Sequence, residues 1–294
     1  MPKSVTLPSE ILHVKKEMMK KITLFLLPLA LLMSLKLKAY SVDKQQLTSV
    51  SPTWGATGHR VVGEIANSHL TRRAKKRISK ILGNESIAIS SNWADFIKSD
   101  TAMKYLDPWH YINAPWNLTY PDFSAYLQRD SIVDAFTKLN FLINELKNKE
   151  LSMEKKRMYL RLVIHIIGDI HQPLHVGRAE DLGGNRIKVF WFNESTNLHA
   201  LWDDKLIEFQ KLSYTEYTAN INHPTSEQRT TWQAQPLSEW LFESYKLADK
   251  VYKSVTQPDQ KLSYRYNYDH VEMMNGQLLK GGVRLAGLLN QIFG

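Results

Sequence analysis

Two His-x-x-x-Asp pairs carry the chemistry that this sequence offers: His165 with Asp169, and His199 with Asp203. Each falls in a stretch with apolar residues at three-and-four spacing, residues 154–170 and 198–209. On a helix, a spacing of four puts both side chains on one face, one turn apart. Imidazole nitrogens and carboxylate oxygens are the donors of hydrolytic zinc sites, where the ion takes about four ligands at roughly 2.0–2.2 Å. One such pair is more often a surface salt bridge or a capped core histidine. Two pairs, with a third histidine (His175) two residues beyond the helix-ending Pro173, make metal a reading of equal weight. Three further segments fit. Trp54-Gly-Ala-Thr-Gly-His59 puts a histidine just inside a helix start. Trp93-Ala-Asp95 lies near a helix end, with Lys98 one turn later. Trp109-His110-Tyr111-Ile112-Asn113 follows Pro108. Taken singly, His59 reads as a first-turn surface residue, Asp95 as the ion-pair partner of Lys98, and His110 as a core histidine. Together the five histidines and three aspartates can hold two or three ions, depending on how a carboxylate is shared. Two metals about 3.5–4 Å apart can activate one water between them and flank a phosphate.

The elements that must position these residues are mostly helical. Beyond 154–170 and 198–209, the period predicts helices over 61–70, 72–82, 131–146, 238–255 and 271–292, with Ser238 as an N-cap. Only 187–192, bracketed by Gly183-Gly184 and Asn193, reads as a strand or hairpin arm. No linker divides residues 54–294 and no internal repeat is visible, so the expectation is one all-α domain with one small β-hairpin.

The chain has no cysteine, which excludes disulfides, thiolate metal sites and a lipid-modified cysteine anchor. The formal charge of +9 suggests a polyanionic partner, but residues 1–53 hold eight lysines and three acids. The remainder has thirty basic and twenty-six acidic residues, a balance of only +4. Lys20-Lys21 precede an apolar run over 22–35, too short for the roughly 20 residues that span a bilayer. This reads as a signal peptide with Met19 as its natural start and cleavage after Ala39. Three segments follow: an upstream and signal segment (1–39), a polar linker or pro-segment (40–53), and a catalytic domain (54–294). The mature protein is expected to be secreted or periplasmic, with no membrane anchor and no obligate protein partner.

WGATGH, NWAD, WHYIN, HIIGDIHQPLH, GGN and NLHALWDD occur in this order, and MNGQLLKGGVRLAGLLN closes the chain. Together they resemble the zinc-dependent single-strand nuclease family, the S-one/P-one type, over Trp54 to Gly294. The resemblance implies a nearly all-α fold, related to zinc-dependent phospholipase C, and three Zn2+ ions. It implies one zinc on Asp95, His110, His165 and Asp169. A second would share Asp169 and add His59 and Trp54, the latter through its free α-amine and carbonyl oxygen. A third would take His175, His199 and Asp203, with His171 outside the ligand set. The implied reaction is hydrolysis of single-stranded DNA or RNA to 5′-phosphate products, with 3′-nucleotides as further substrates. Asp95 and Lys98 would serve catalysis, Lys98 by stabilising charge on the phosphoryl oxygens, and Asn185 would lie near the reacting phosphate. Tyr111 matches a base-stacking aromatic, though its position also suits a buried neighbour of His110.

Two departures from the family pattern bear on function. A free amine at Trp54 requires removal of residues 40–53, which would make that removal an activation step. Asn113 stands where an acidic base contact is expected, and an amide both donates and accepts. Phospholipase C is the nearest alternative, but it closes its last ligand pair with Glu where this chain has Asp203. A non-catalytic zinc-binding protein would need neither Lys98 nor the aromatic segment 109–113.

Overall fold

The computed structural model describes residues 55–129 and 132–294. The expected signal segment, residues 40–53 and Trp54 lie outside the described residues.

The chain folds around one helix. Helix α7 (Met153–Asp169) is started by Ser152, whose hydroxyl accepts from the Lys155 amide. From Leu160 its residues are almost all buried, and it is enclosed on all sides over its last two turns. A helix that is apolar all round belongs inside a protein, and this is how His165 and Asp169 come to be fully buried. Around it lie α1 (Ala56–Ser68), α2 (Arg72–Leu82), two single turns α3 (Ile87–Ser90) and α4 (Trp93–Phe96), and α6 (Ala135–Lys147). The C-terminal helix α12 (Tyr264–Phe293) runs along α1 and also touches α2, α6 and α7. Of the remaining helices, α9 (Tyr214–Ile221) packs on α1, α10 (Ser226–Ala234) on α12, and α11 (Leu237–Lys253) on α5 (Tyr120–Leu127). The helical run over 198–208, here α8, contains one π turn at Leu201–Lys205.

The strands are short but positional. β1 (Ile112–Ala114) pairs in parallel with β2 (Val176–Arg178), Ile112 opposite Val176. This ties the segment after His110 to the segment after His175. β3 (Lys188–Trp191) and β4 (Glu194–Asn197) form an antiparallel hairpin around Phe192-Asn193, and β5 (Gln260–Leu262) adds to β3 in parallel. The hairpin delivers the chain to α8, where Asn197 caps the helix by accepting from the Ala200 amide at 2.7 Å.

The expected all-α domain and hairpin are present, with differences at element ends. α1 starts five residues before the predicted 61–70, so His59 is in its first turn. α6 starts at Ala135, because Asp134 and Thr137 form a capping box there. Ser238 is not an N-cap: α11 begins at Leu237 behind Pro236, which fixes the entry. α12 begins seven residues before the predicted 271.

Candidate metal centre

Four elements converge on Asp169 at the end of α7. Its Oδ2 lies 3.1 Å from His165 Nε2 and 2.9 Å from His110 Nδ1; its Oδ1 lies 3.4 Å from His59 Nε2 and 3.4 Å from His175 Nδ1. Asp95, from α4, reaches His165 Nε2 at 3.5 Å and His59 Nε2 at 3.9 Å. A second carboxylate, Asp203, faces His175 Nε2 at 3.2 Å and His199 Nε2 at 3.0 Å. Three groups result whose ligand atoms lie within 4.8 Å of one another: His59/Asp95/His165, His110/His165/Asp169 and His175/His199/Asp203. All eight sequence-predicted His and Asp ligands among the described residues thus fall into one connected cluster. Trp54 lies outside the described residues.

The backbone sets the histidines' orientation. His165 Nδ1 is 2.6 Å from the Ser91 carbonyl, His175 Nδ1 2.9 Å from the His110 carbonyl, and His199 Nδ1 2.7 Å from the Gly183 carbonyl. A carbonyl only accepts, so each Nδ1 carries the proton and donates. In the neutral ring each Nε2 then presents a lone pair, and each is aimed at carboxylate oxygens. Lone pair against lone pair is repulsive unless a proton or a cation stands between. Asp169 Oδ1, Asp203 Oδ2 and His110 Nε2 are, moreover, buried without a hydrogen bond. Histidines held this way by a backbone carbonyl are the usual arrangement of metal ligands, and the donor set of imidazoles and carboxylates suits zinc. The residues present therefore fit metal ions.

The electrostatics agree. Burial would raise the Asp169 carboxyl, but His165 and His175 outweigh it and hold it well below the usual carboxylate range. Asp203 is lowered in the same way by His199 and His175, against burial. For His175, burial lowers the imidazole, but Asp169 and Asp203 prevail and raise it to about 9. His110 is pushed down to about 4, mainly by burial. Three ionised carboxylates in a dry cluster call for positive charge, supplied by protons when no metal is bound.

Small residues and polar partners hold the cluster tight. A Cβ on Gly168 would lie 2.6 Å from His59 Nδ1, so glycine is what lets α7 approach α1 here. Gly183, with φ at +63°, turns its carbonyl toward His199. Gln172 donates to Asp203 Oδ1 at 2.5 Å while its own oxygen accepts from the Leu174 amide. Sequence reasoning missed Gln172; its one signal is its place between Asp169 and His175. His171, read as a non-ligand, donates from Nδ1 to the Ile167 carbonyl at 2.7 Å and accepts from Arg284 at 3.0 Å. Burial and Arg284 push it down to about 3, so it stays neutral and structural.

The remaining predicted residues are placed as follows. Lys98 Nζ is 2.8 Å from Asp95 Oδ1. Tyr111 is 40 % exposed, which removes the reading of it as a buried neighbour of His110. Asn113 lies in β1, and its carbonyl accepts from the Tyr126 hydroxyl. Asn185 is exposed on the turn that wraps His199, its amide donating to the Leu182 carbonyl. Among the described residues, neither asparagine's side chain makes a hydrogen bond to the cluster.

A mostly helical scaffold closing on three buried His/Asp groups defines a protein built around a candidate polynuclear metal centre. Residues 54–294 match the family described as S1/P1 Nuclease. The chain is 31 % identical to Endonuclease 3 of Arabidopsis thaliana over 273 residues, covering 84 % of this chain and 92 % of that one. It is 30 % identical to Nuclease P1 of Penicillium citrinum over 267 residues, 82 % of this chain and 98 % of that one. To Nuclease S1 of Aspergillus oryzae it is 33 % identical over 172 residues, 55 % and 57 % of the two chains. The chain belongs to the S1/P1 nuclease family and is a hydrolase acting on phosphodiester bonds.

Proposed function

We propose that the protein is an exported, three-zinc endonuclease that cleaves single-stranded DNA and RNA to 5′-phosphate products and also removes phosphate from 3′-nucleotides. The observation that carries the metal reading is the orientation of His165, His175 and His199, each donating to a backbone carbonyl and turning a lone pair to carboxylates. In this reading Asp95, His110, His165 and Asp169 hold one ion. Asp169 is shared with a second, completed by His59 and Trp54; His175, His199 and Asp203 hold the third. When bound, zinc would supply an activated water at neutral pH and neutralise the leaving oxygen.

The protein's own groups do the rest. Lys98 is already aimed at the cluster through Asp95, and its ammonium can turn to a phosphoryl oxygen without leaving its place. The exposed ring of Tyr111, next in sequence to His110, offers a nucleobase a stacking face, and stacking tolerates any base. Stacking also requires an unpaired base, which favours single strands. Asn185, at the turn beside His199, and Asn113, beside Tyr111, are polar groups for the phosphate and the base. No helix of the described residues is long and apolar enough to cross a membrane, and export rests on the Lys20-Lys21 and 22–35 pattern.

The test is release of 5′-mononucleotides from single-stranded DNA and RNA by a chain beginning at a free Trp54, with zinc and after chelation. Zinc-dependent release is expected, and a chain beginning at Tyr40 should be less active. Zinc-loaded protein that cleaves phospholipid but neither polymer would overturn the proposal.

A further inference from the structure

Helix α2 carries six cations and no acid: Arg72, Arg73, Lys75, Lys76, Arg77 and Lys80, all exposed. Residues 54–294 balance at +4, so without this helix they would balance at −2. The positive charge is thus concentrated on one short element. Among the described residues, none of the six pairs with a carboxylate side chain. Arg77 alone makes a long-range contact, to the Phe293 carbonyl and to an oxygen of Gly294, the last residue of the sequence, at 3.3 Å each.

Stability does not account for this charge. Arg72 and Arg73 meet the positive end of the helix dipole. Arg72–Lys76, Arg73–Arg77 and Lys76–Lys80 are like charges four residues apart, which repel on a helix face. The helix is held from its other side by buried Ala74, Ile78, Ile81 and Leu82 and by Thr71, which accepts from the Ala74 amide at 3.1 Å.

Its position is fixed relative to the cluster. Along one face of α7, Arg157 Nε donates to the Ile81 carbonyl at 2.8 Å and Arg161 Nε to Glu85 at 3.0 Å. One turn further, His165 Nδ1 donates to the Ser91 carbonyl at 2.6 Å. Residues four apart therefore grip, in turn, the end of α2, the loop after it and the segment that leads to Asp95. From Arg157 to His165 the helix rises about 12 Å, so the end of α2 lies a few nucleotides' reach from the metal ligands.

We propose that α2 is an exosite for the phosphate backbone of the polynucleotide, holding the strand several nucleotides from the bond being cleaved. This rests on the reading of a polynucleotide as the substrate. Cations recurring at each turn, about 5.4 Å apart, suit a polyanion rather than a single anion. Nucleic acid is favoured over an anionic lipid surface because Ser79 is the one exposed residue of the helix that is not a cation. A membrane-seated helix instead presents Trp, Phe or Leu to the acyl boundary.

The test compares the wild-type holoenzyme with R72Q/R73Q/K75Q/K76Q/K80Q, which leaves Arg77 and the buried face intact. Binding is read by anisotropy of a long, labelled, hydrolysis-resistant phosphorothioate strand over a series of salt concentrations, and kcat/KM on a dinucleotide. The dissociation constant should rise about tenfold or more. The slope of log affinity against log salt should fall by about 0.7 for each phosphate that the variant no longer neutralises. Dinucleotide turnover should not change. An unchanged constant and slope would overturn the exosite, as would a variant that loses only its binding to anionic phospholipid vesicles. Absence of dinucleotide turnover in both proteins would count against the nuclease reading alone, since strand binding is measured independently.

Discussion

Replacing Gly168 with alanine should spoil the metal centre while leaving the fold in place. The added Cβ would lie 2.6 Å from His59 Nδ1 and 3.0 Å from its Cε1, where ordinary contact begins at 3.4 Å. The shortfall at Nδ1 is about 0.8 Å, so the ring must withdraw by that amount. It has little freedom to do so, because it is fully buried and stacked on His165 at 4.0 Å between centroids. Overpacking of this kind costs about 1–3 kcal/mol, and the better helix propensity of alanine returns about 1 kcal/mol. The net destabilisation is then about 0–2 kcal/mol, a fall in Tm of at most about 8 °C at this size. Function should suffer far more. A displacement near 1 Å can lower turnover about 100-fold, and disturbing a ligand's support lowers metal affinity about 10–100-fold. The assay is zinc per chain after dialysis against buffered zinc, with kcat/KM on a dinucleotide and a thermal melt. A folded Gly168→Ala protein with wild-type zinc affinity and turnover would refute the placing of His59 at the metal centre.

Lys98→Ala should lower kcat about 100- to 1000-fold while zinc content stays unchanged; a drop in bound zinc instead would make Lys98 a structural partner of Asp95. Gln172→Ala frees one side of the Asp203 carboxylate, so metal affinity should fall about 10–100-fold, read by competition with a chromogenic chelator. In the metal-free protein His175 is raised to about 9, so zinc must displace a proton. Proton release at pH 7 should approach one from this residue and vanish above about pH 9, measured by calorimetry in buffers of different ionisation enthalpy. The same shift sets the stability of chelated protein. The raised His175 contributes stability that is complete below its unfolded value of about 6.5 and lost as pH rises through about 9. The lowered Asp169 and Asp203 contribute stability present above about 3.8 and lost as pH falls below it. His110 and His171, pushed down to about 4 and about 3, act in the opposite sense to His175 and cost stability as pH falls below about 6.5. Thermal midpoints of chelated protein should therefore peak near about pH 6.5 and fall on either side; a midpoint still rising from pH 7 to 9 would contradict this.

The clustering of these histidines and aspartates was legible because four-residue spacing on a strongly periodic helix has few readings, and because histidine and aspartate name their own chemistry. What orients those ligands was not. The partners of His165, His175 and His199 are carbonyls of Ser91, His110 and Gly183, and a carbonyl belongs to every residue alike. The parallel pairing of β1 with β2 brings together residues 112 and 176, which no local pattern links. Helices α5, α9 and α10 are only two turns or so long, so their periods are faint; their starts lie in Thr119, Ser213 and Thr225, whose side chains accept from the amide three residues on. The first two turns of α12 carry Tyr264, Tyr266, Tyr268 and His270, which alternate at two-residue spacing and mask the helical period. The charge of α2 was visible as a total, but its concentration on one exposed face needed the burial of Ala74, Ile78, Ile81 and Leu82 to be seen.

The most direct test of the metal centre is an anomalous difference map collected at the zinc edge from crystals of the chain beginning at a free Trp54. Three peaks are expected: two flanking Asp169, with His59 on one and His110 and His165 on the other, and one between His175, His199 and Asp203. Zinc-loaded crystals with no peak at Asp169, or with peaks only away from these groups, would contradict the assignment.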